Sequence, residues 1–160
     1  MSNPSFLSDS VWRWCAFDAL SVRELQNIYM ARQQVFSIEQ QCIYLDADGC
    51  DEQSHHLAAW HATQRMPLAY ARVVAPGVKY AEPSIGRVIT TAPARGSGLG
   101  RELVRRAIVH TRDVHPGFGI RISAQSRLER FYAGFGFVIV GERYMEDGIP
   151  HTEMLLAPAA

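Results

Sequence analysis

Residues 88–101 read V-I-T-T-A-P-A-R-G-S-G-L-G-R, and this segment combines three different signals. β-Branched residues come first, glycines follow at positions 96, 98 and 100, and a helical pattern of apolar residues begins at Leu99. Glycine allows the backbone to approach a ligand closely, and the first turn of a helix carries unpaired amides at its positive end. The segment therefore predicts a strand, a turn and a helix that together bind a phosphate or pyrophosphate group.

The spacing of these glycines excludes the two common nucleotide-binding motifs. A P-loop requires G-x-x-x-x-G-K-[ST], and Lys79 is the only lysine in the chain. A dinucleotide fingerprint requires G-x-G-x-x-G, but counting from Gly96, Arg101 stands where the third glycine belongs. The alternative to phosphate binding is that the glycines only permit a tight turn between the strand and the helix.

The rest of the chain predicts elements in the order β-α-β-β-β-α-β-α-β-β. An S-x-x-E capping box at Ser21–Glu24 predicts a helix to about residue 37, and Pro116-Gly117 ends the helix that begins at Leu99. Other patterns predict strands at 12–17, 56–62, 68–75, 85–91, 120–124, 137–143 and 152–156, a short helix at 126–134, and a long acidic loop at 39–54. We expect an α+β (α/β layered) fold, in which helices flank a mixed β-sheet, in a single domain of residues 1–160.

The composition limits the partners and the compartment. Sixteen basic and sixteen acidic residues give a net charge of 0, so no nucleic-acid or membrane-surface partner is expected, since both require a basic excess. Three cysteines do not suggest a disulfide framework, no secretory signal is visible, and no apolar run approaches the roughly 18–20 residues that span a bilayer. These features predict a cytoplasmic protein.

Two separated blocks of the sequence resemble one protein family. Arg95 to Gly100 resembles the acyl-CoA-binding motif R-G-x-G-x-G of the GNAT superfamily of N-acetyltransferases. The segment from Gln125 through Tyr132 to Phe137 resembles that family's N-x-x-A-x-x-[FL]-Y-x-x-x-G-F block, with Gln125 in place of the asparagine and Leu128 in place of the alanine. Three more segments (32–40, 44–49 and 146–151) look like the ElaA-type branch, so the resemblance extends over nearly the whole chain.

The resemblance implies a mostly antiparallel sheet and an enzyme that transfers an acetyl group from acetyl-CoA, as cosubstrate, to a primary amine of a small molecule or protein. It implies that Tyr132 is the acid that protonates the leaving thiolate, and that an amide near Val88-Ile89 polarises the thioester carbonyl. The residues implied in binding acetyl-CoA are Val88, Ile89, Thr90, Arg95, Gly96, Ser97, Gly98, Leu99, Gly100, Arg101, Gln125 and Tyr132. The alternative for Tyr132 is an aromatic side chain packed in the core.

A base must remove the proton of the acceptor amine, and the sequence offers several candidates. They are Glu39, Asp46, Asp48, Asp51, His55, His56 and His151. We assign catalytic roles to Glu39 and His56 beside Tyr132, and contacts with the acceptor to Arg32, Asp48 and His151. The acidic cluster at 46–52 would attract a cationic amine, although a solvated turn is the alternative for that cluster and a packed side chain the alternative for His56.

Other sites and functions are also considered. No metal is expected, because the calcium-loop order is absent and Cys42, Cys50 and His55 lack the paired spacing of a zinc site. One alternative function is a non-catalytic acyl-CoA sensor or interaction module. Another is an enzyme similar to acyl-homoserine-lactone synthases, which Arg32-x-x-Val35-Phe36 also resembles. An exposed sheet edge would allow a homodimer.

Overall fold

The computed structural model describes residues 5–160, and in that range four α-helices accompany an eight-stranded sheet. The helices are α1 (Phe6–Asp9), α2 (Val22–Arg32), α3 (Leu99–Val114) and α4 (Glu129–Ala133). The strands are β1 (Val11–Ala16), β2 (Ser54–Trp60), β3 (Ala69–Val74), β4 (Ser84–Thr90), β5 (Ile120–Gln125), β6 (Val138–Ile139), β7 (Tyr144–Glu146) and β8 (Ile149–Leu156). None of the helices within 5–160 is long and apolar enough to cross a bilayer.

The sheet is mixed and mostly antiparallel, as predicted. Its strand order is β1-β2-β3-β4-β5-β8-β6, and β7 pairs with the first part of β8. The parallel pair is β4 and β5, and these strands are in register only at Ser84 and Arg121. Beyond that point the two strands separate, which opens the middle of the sheet.

Helices cover both faces of the sheet. The predicted apolar face of α3 is buried against one face, with Leu103, Val104 and Ala107 fully buried. Helix α2 covers the other face through Ile28 and Ala31, and its Ser21–Glu24 capping box is formed as predicted. Helix α2 continues as a π-helix at Gln33–Glu39, which carries the chain to the opening between β4 and β5.

A β-bulge interrupts β4 beside that opening. Tyr70 of β3 pairs with Ile89 and Arg72 pairs with Gly86, so two residues of β4, at 87 and 88, lie opposite one residue of β3. The extra residue reverses the alternation of the strand. Ile85 accordingly packs in the core on the α3 face, whereas Ile89 packs on the α2 face.

The predicted strand at 137–143 is wrong in extent. Only Val138–Ile139 pairs there, and a separate strand forms at Tyr144–Glu146. Asp147 and Gly148 both have positive φ (50° and 75°), which is the requirement of a two-residue type I′ hairpin turn. This turn extends β8 back to Ile149, three residues before the predicted start at 152, and α1 was not predicted.

Candidate active site

A cleft of about 800 Å³ occupies the opening between β4 and β5. Phe36 and Gln40 line it from the α2 face of the sheet, and Leu128 and Tyr132 line it from the α3 and α4 face. The cleft therefore passes through the sheet instead of lying on one side. An elongated ligand between the strands would be reached by side chains from both faces.

At one end of the cleft the glycine loop offers backbone donors. Gly96 and Gly98 have φ values of 80° and 88°, so the turn depends on glycine at both positions. Among the hydrogen bonds of residues 5–160, none uses the amide of Gly96, Gly98, Gly100 or Arg101, whereas Ser97 donates to Ala94 and Leu99 donates to the Ser97 hydroxyl. Four unpaired amides around the positive end of α3 fit a phosphate group, which is the ligand chemistry predicted for this loop.

The two arginines of the loop differ in their surroundings. Arg95 forms an ion pair with Glu39 of the π-helix and donates to the Thr90 carbonyl oxygen at 3.0 Å. The Arg101 guanidinium lies 5.5 Å from the centre of the Phe135 ring. Arg95 thus joins the two walls of the cleft, and Arg101 is exposed beside the loop.

Tyr132 reaches the same cleft from α4. Its side chain is buried among Phe131 and Phe137 in edge-to-face contacts, as the core alternative expected, but the residue also lines the cleft. Burial raises the pKa of Tyr132 to about 12, and no charged neighbour contributes to that shift. The phenol is therefore protonated at neutral pH and can donate a proton.

Gln125 lies at the end of β5 and spans the cleft. Its side-chain amide donates to Gln40 at 3.0 Å and accepts from Arg127 at 3.0 Å. Gln40 belongs to the end of the π-helix, 85 positions away in the sequence. The predicted ligand contact of Gln125 therefore has a partner inside the protein, which a bound ligand would exchange for its own polar groups.

Three arginines and three aspartates form a network on the α2 face. Arg32 bonds to Asp46 and Asp51, both at 2.7 Å, and Arg72 bonds to Asp48 at 2.7 Å. Arg87, whose φ of 51° belongs to the β4 bulge, pairs with Asp46 at 2.8 Å. The network ties the loop of residues 41–53 to the bulge.

This network corrects the role assigned to Arg32. Its side chain is completely buried and its guanidinium is used by Asp46 and Asp51, so it cannot contact an acceptor molecule. Asp48 does line the cleft, but Arg72 and Arg87 both bind its carboxylate. Burial alone would raise the pKa of Asp48, but the hydrogen bond and charge of Arg72 outweigh burial and hold that pKa well below its usual range.

The structure also corrects the role of His56. The imidazole is 1% exposed, one nitrogen lies 2.7 Å from the Tyr70 hydroxyl and the other lies 2.9 Å from the Asp51 carbonyl oxygen. Burial lowers its pKa, and both nitrogens are already bonded. His56 is a packed core histidine, the alternative considered for it, and has no nitrogen left for a substrate.

The remaining candidate bases lie in different parts of the structure. Asp46 and Asp51 belong to the arginine network, and His55 stacks on Trp14 at 4.8 Å on the α3 face. Glu39 lines the cleft in its ion pair with Arg95, and His151 lines it from β8. Within residues 5–160, no three His, Cys, Asp or Glu side chains are arranged to hold a metal ion.

Sequence reasoning missed three polar residues beside His151. Ser123 of β5 bonds to the Tyr144 hydroxyl and lies 3.3 Å from Glu146, whose carboxylate lies 3.4 Å from the His151 ring. The residues come from three strands, and the pairing of Gln125 with His151 and of Glu146 with Ile149 brings them together. The signal available in the sequence was the Asp147-Gly148 turn, since it predicts a hairpin that folds 144–146 back onto β8.

Proteins of similar sequence and proteins of similar structure both identify the family of this chain. The profile of the acetyltransferase (GNAT) domain matches residues 26–157. A UPF0039 protein of Synechocystis is 43% identical over 144 residues, which cover 90% of this chain and 93% of that protein. Protein ElaA of Escherichia coli is 34% identical over 145 residues, covering 89% and 94% of the two chains, and its crystal structure superposes with a TM-score of 0.85. The crystal structure of an acyl-CoA N-acyltransferase from Pseudomonas aeruginosa superposes with a TM-score of 0.88 at 37% identity and covers 92% of this chain and 99% of that one.

Proposed function

Because the chain belongs to the GNAT acetyltransferase family, in the branch that contains the UPF0039 and ElaA proteins, we propose that it transfers an acetyl group from acetyl-CoA to the primary amine of a small molecule or a protein. The observation that carries the proposal is the cleft between β4 and β5, which is lined by Gly100 of the glycine loop and by Tyr132. The loop amides and the Tyr132 phenol thus offer the chemistry that a long phosphorylated thioester requires.

Three features support acetyl-CoA as the donor substrate. No hydrogen bond among residues 5–160 uses the amides of Gly96, Gly98, Gly100 and Arg101, so these amides can bind a diphosphate. The separated β4 and β5 leave strand edges along which an extended chain carrying amide groups can form hydrogen bonds. A volume of about 800 Å³ is within the range of pockets that bury most of a ligand.

The chain's own residues supply the steps of acyl transfer. The bulge at residues 87 and 88 disrupts the strand ladder, so a main-chain amide there is available to polarise the thioester carbonyl. The Tyr132 phenol donates a proton to the departing thiolate. No covalent intermediate with the protein is needed, since the amine attacks the thioester directly.

A screen of primary amines with acetyl-CoA tests the proposal. The purified protein is incubated with amino acids, amino sugars, polyamines and a lysine peptide, and released thiol is measured together with the mass of the product. The expected result is thiol release with at least one amine and a product heavier by one acetyl group. Binding of acetyl-CoA without turnover of any amine would contradict the proposal and favour a non-catalytic sensor.

A further inference from the structure

We propose that the β7–β8 hairpin forms the acceptor subsite for a primary alkylammonium group, in which Glu146 binds the ammonium and His151 removes its proton. The inference rests on the proposed acyl transfer and assigns the residue that prepares the amine for attack. Three observations support this assignment: the hydrogen bonds of His151, the face of the sheet from which His151 projects, and the contacts that already occupy the other candidate bases.

The hydrogen bonds of His151 determine which ring nitrogen is basic. Nδ1 lies 2.8 Å from the Ile149 carbonyl oxygen, and a carbonyl oxygen can only accept, so Nδ1 carries a hydrogen. In the neutral ring Nε2 is then the nitrogen with a free electron pair. The Tyr144 ring lies beside the imidazole, with ring centres 6.0 Å apart and ring planes 29° apart. His151 thus presents one defined basic nitrogen.

Glu146 completes the subsite. Its carboxylate lies 3.4 Å from Nε2 and 3.3 Å from the Ser123 hydroxyl, and its side chain is half exposed to the cleft. When Nε2 is unprotonated, two acceptors face each other, so the pair suits a group that carries a positive charge and donates hydrogen bonds. An alkylammonium ion provides both, because it carries the charge that Glu146 attracts and the proton that Nε2 accepts.

The alternation of side chains places His151 opposite Tyr132. Ala124 of β5 and Met154 of β8 belong to the core on the α3 face, where Tyr132 also packs. Successive residues of a strand point to opposite faces, so Ser123 and His151 project from the α2 face. A thioester in the opening between β4 and β5 would therefore have the proposed acid on one side and the proposed base on the other.

Arginines already bind the two other carboxylates that the sequence assigns to the site, Glu39 and Asp48. Glu39 is bound by Arg95 beside the glycine loop, and Asp48 is bound by Arg72 and Arg87. Tyr144 and Glu146 of β7 contact the His151 ring. The other charged or titratable side chains that line the same cleft are Glu39, Cys42, Tyr44, Asp48, Arg72, Lys79, Tyr80, Arg87, Arg95, Arg127, Tyr132 and Asp147. Glu146 supplies the carboxylate that contacts the imidazole, so we assign it the binding of the cation.

The ammonium group loses two protons during the transfer, one to His151 and one to Tyr132. His151 Nε2 takes one proton from the ammonium, and the neutral amine uses its electron pair to form the carbon–nitrogen bond. The carbon–sulfur bond breaks, and the sulfur keeps that electron pair and receives the Tyr132 proton. The amide nitrogen releases its second proton, which restores the Tyr132 phenol, and His151 returns its proton to water.

His151→Asn is the principal variant, because asparagine keeps a donor for Ile149 but has no basic nitrogen. Values of kcat/KM are measured from pH 6 to pH 10 with acetyl-CoA and the amine that the wild type acetylates best. We expect a loss of at least about tenfold at pH 7. The deficit should shrink as the pH approaches about 10, because the amine is then neutral without help. Acetyl-CoA affinity, measured by calorimetry, should be unchanged and shows that the variant is folded.

Glu146→Gln provides a second variant with little risk to folding, since the side chain is half exposed. It should raise KM for the amine more than it lowers kcat. Glu153→Gln is the matched control, because Glu153 lies on the same face of β8 and pairs with Arg121 but does not line the cleft. Its kcat/KM should equal that of the wild type.

The outcomes separate this inference from the proposed function. If the wild type acetylates an amine and His151→Asn shows no loss, or a loss of the same size at every pH, the assignment of His151 is overturned. Equal effects of Glu146→Gln and Glu153→Gln overturn the assignment of Glu146. If the wild type acetylates no amine, the proposed function fails and this inference falls with it.

Discussion

Gly100 differs from the other two glycines of the loop in its backbone conformation. Gly96 and Gly98 have positive φ and are required by the turn itself, whereas Gly100 has no positive φ. A Cβ atom at Gly100 would meet only the Thr90 side chain at 3.5 Å, an ordinary contact distance. Folding therefore does not require glycine at this position.

Gly100→Ala is accordingly expected to preserve stability and to weaken ligand binding. The methyl group would stand beside the amides proposed to hold the diphosphate, so acetyl-CoA affinity should fall at least about tenfold, or 1.4 kcal/mol. The melting temperature should not fall, since alanine is the better helix former. Calorimetry and thermal denaturation check the two quantities, and unchanged affinity would place the diphosphate elsewhere.

At Tyr132 a single substitution separates the role of the phenol proton from the packing of the ring. Tyr132→Phe removes the proton but keeps the ring that packs between Phe131 and Phe137. We expect acetyl-CoA affinity to be retained and kcat to fall at least about tenfold. Thiol release at saturating acetyl-CoA measures the effect. An unchanged kcat would remove Tyr132 from the reaction and leave it a core residue.

At the scale of elements, the arginine and aspartate network holds the loop of residues 41–53 against the β4 bulge. Asp51 is 4% exposed and bonds to the buried Arg32 and Arg72. Burial alone would raise the pKa of Asp51, but the hydrogen bond and charge of Arg32 outweigh it and lower that pKa. The carboxylate is thus ionised in the folded protein and compensates buried positive charge.

Asp51→Asn is expected to lower the free energy of unfolding by about 3 kcal/mol, because it leaves buried guanidinium groups with less compensation. The control is Glu102→Gln on α3, whose partner Arg105 is exposed and whose partner Arg106 is partly exposed. That change should cost less than about 1 kcal/mol. Urea denaturation measures both variants, and equal losses would show that the buried network does not stabilise the loop more than a surface pair does.

Local sequence patterns predicted the helices and strands more completely than they predicted the roles of the candidate site residues. The Ser21–Glu24 capping box, the apolar face of α3 and the glycine turn depend on neighbouring residues, and each formed as predicted. The burial of Arg32 and His56 depends on Asp51, which lies 19 and five positions away. Only the folded chain brings these partners together, so the sequence could not distinguish a buried ion pair from a substrate contact.

At the scale of the whole molecule, burial of histidines makes stability depend on pH. Burial lowers the pKa below the ordinary value of 6.5 for His55, His56, His110 and His115. Trp14 stacks between His55 and His110 at 4.8 and 4.7 Å, and the His115 ring lies edge-on to His55 at 6.4 Å, so three of the four belong to one aromatic cluster.

The melting temperature is expected to fall as the pH decreases below 6.5. In that range the unfolded chain binds protons that the folded histidines do not, so the free energy of unfolding decreases. Asp48 and Asp51, whose pKa values are lowered, do not contribute until the pH is far more acidic. Thermal denaturation at pH 7.5 and pH 5.5 measures the change, and His110→Gln should reduce it. A melting temperature that is constant over this interval would contradict the expectation.

Calorimetric titration with acetyl-CoA and with acetyl-pantetheine, which lacks the diphosphate, tests most directly whether the glycine loop and the through-sheet cleft bind an acyl-CoA. We expect one acetyl-CoA to bind per chain and acetyl-pantetheine to bind at least about a hundredfold more weakly, since it leaves the loop amides without a ligand. The absence of acetyl-CoA binding, or equal affinity for the two compounds, would contradict this expectation.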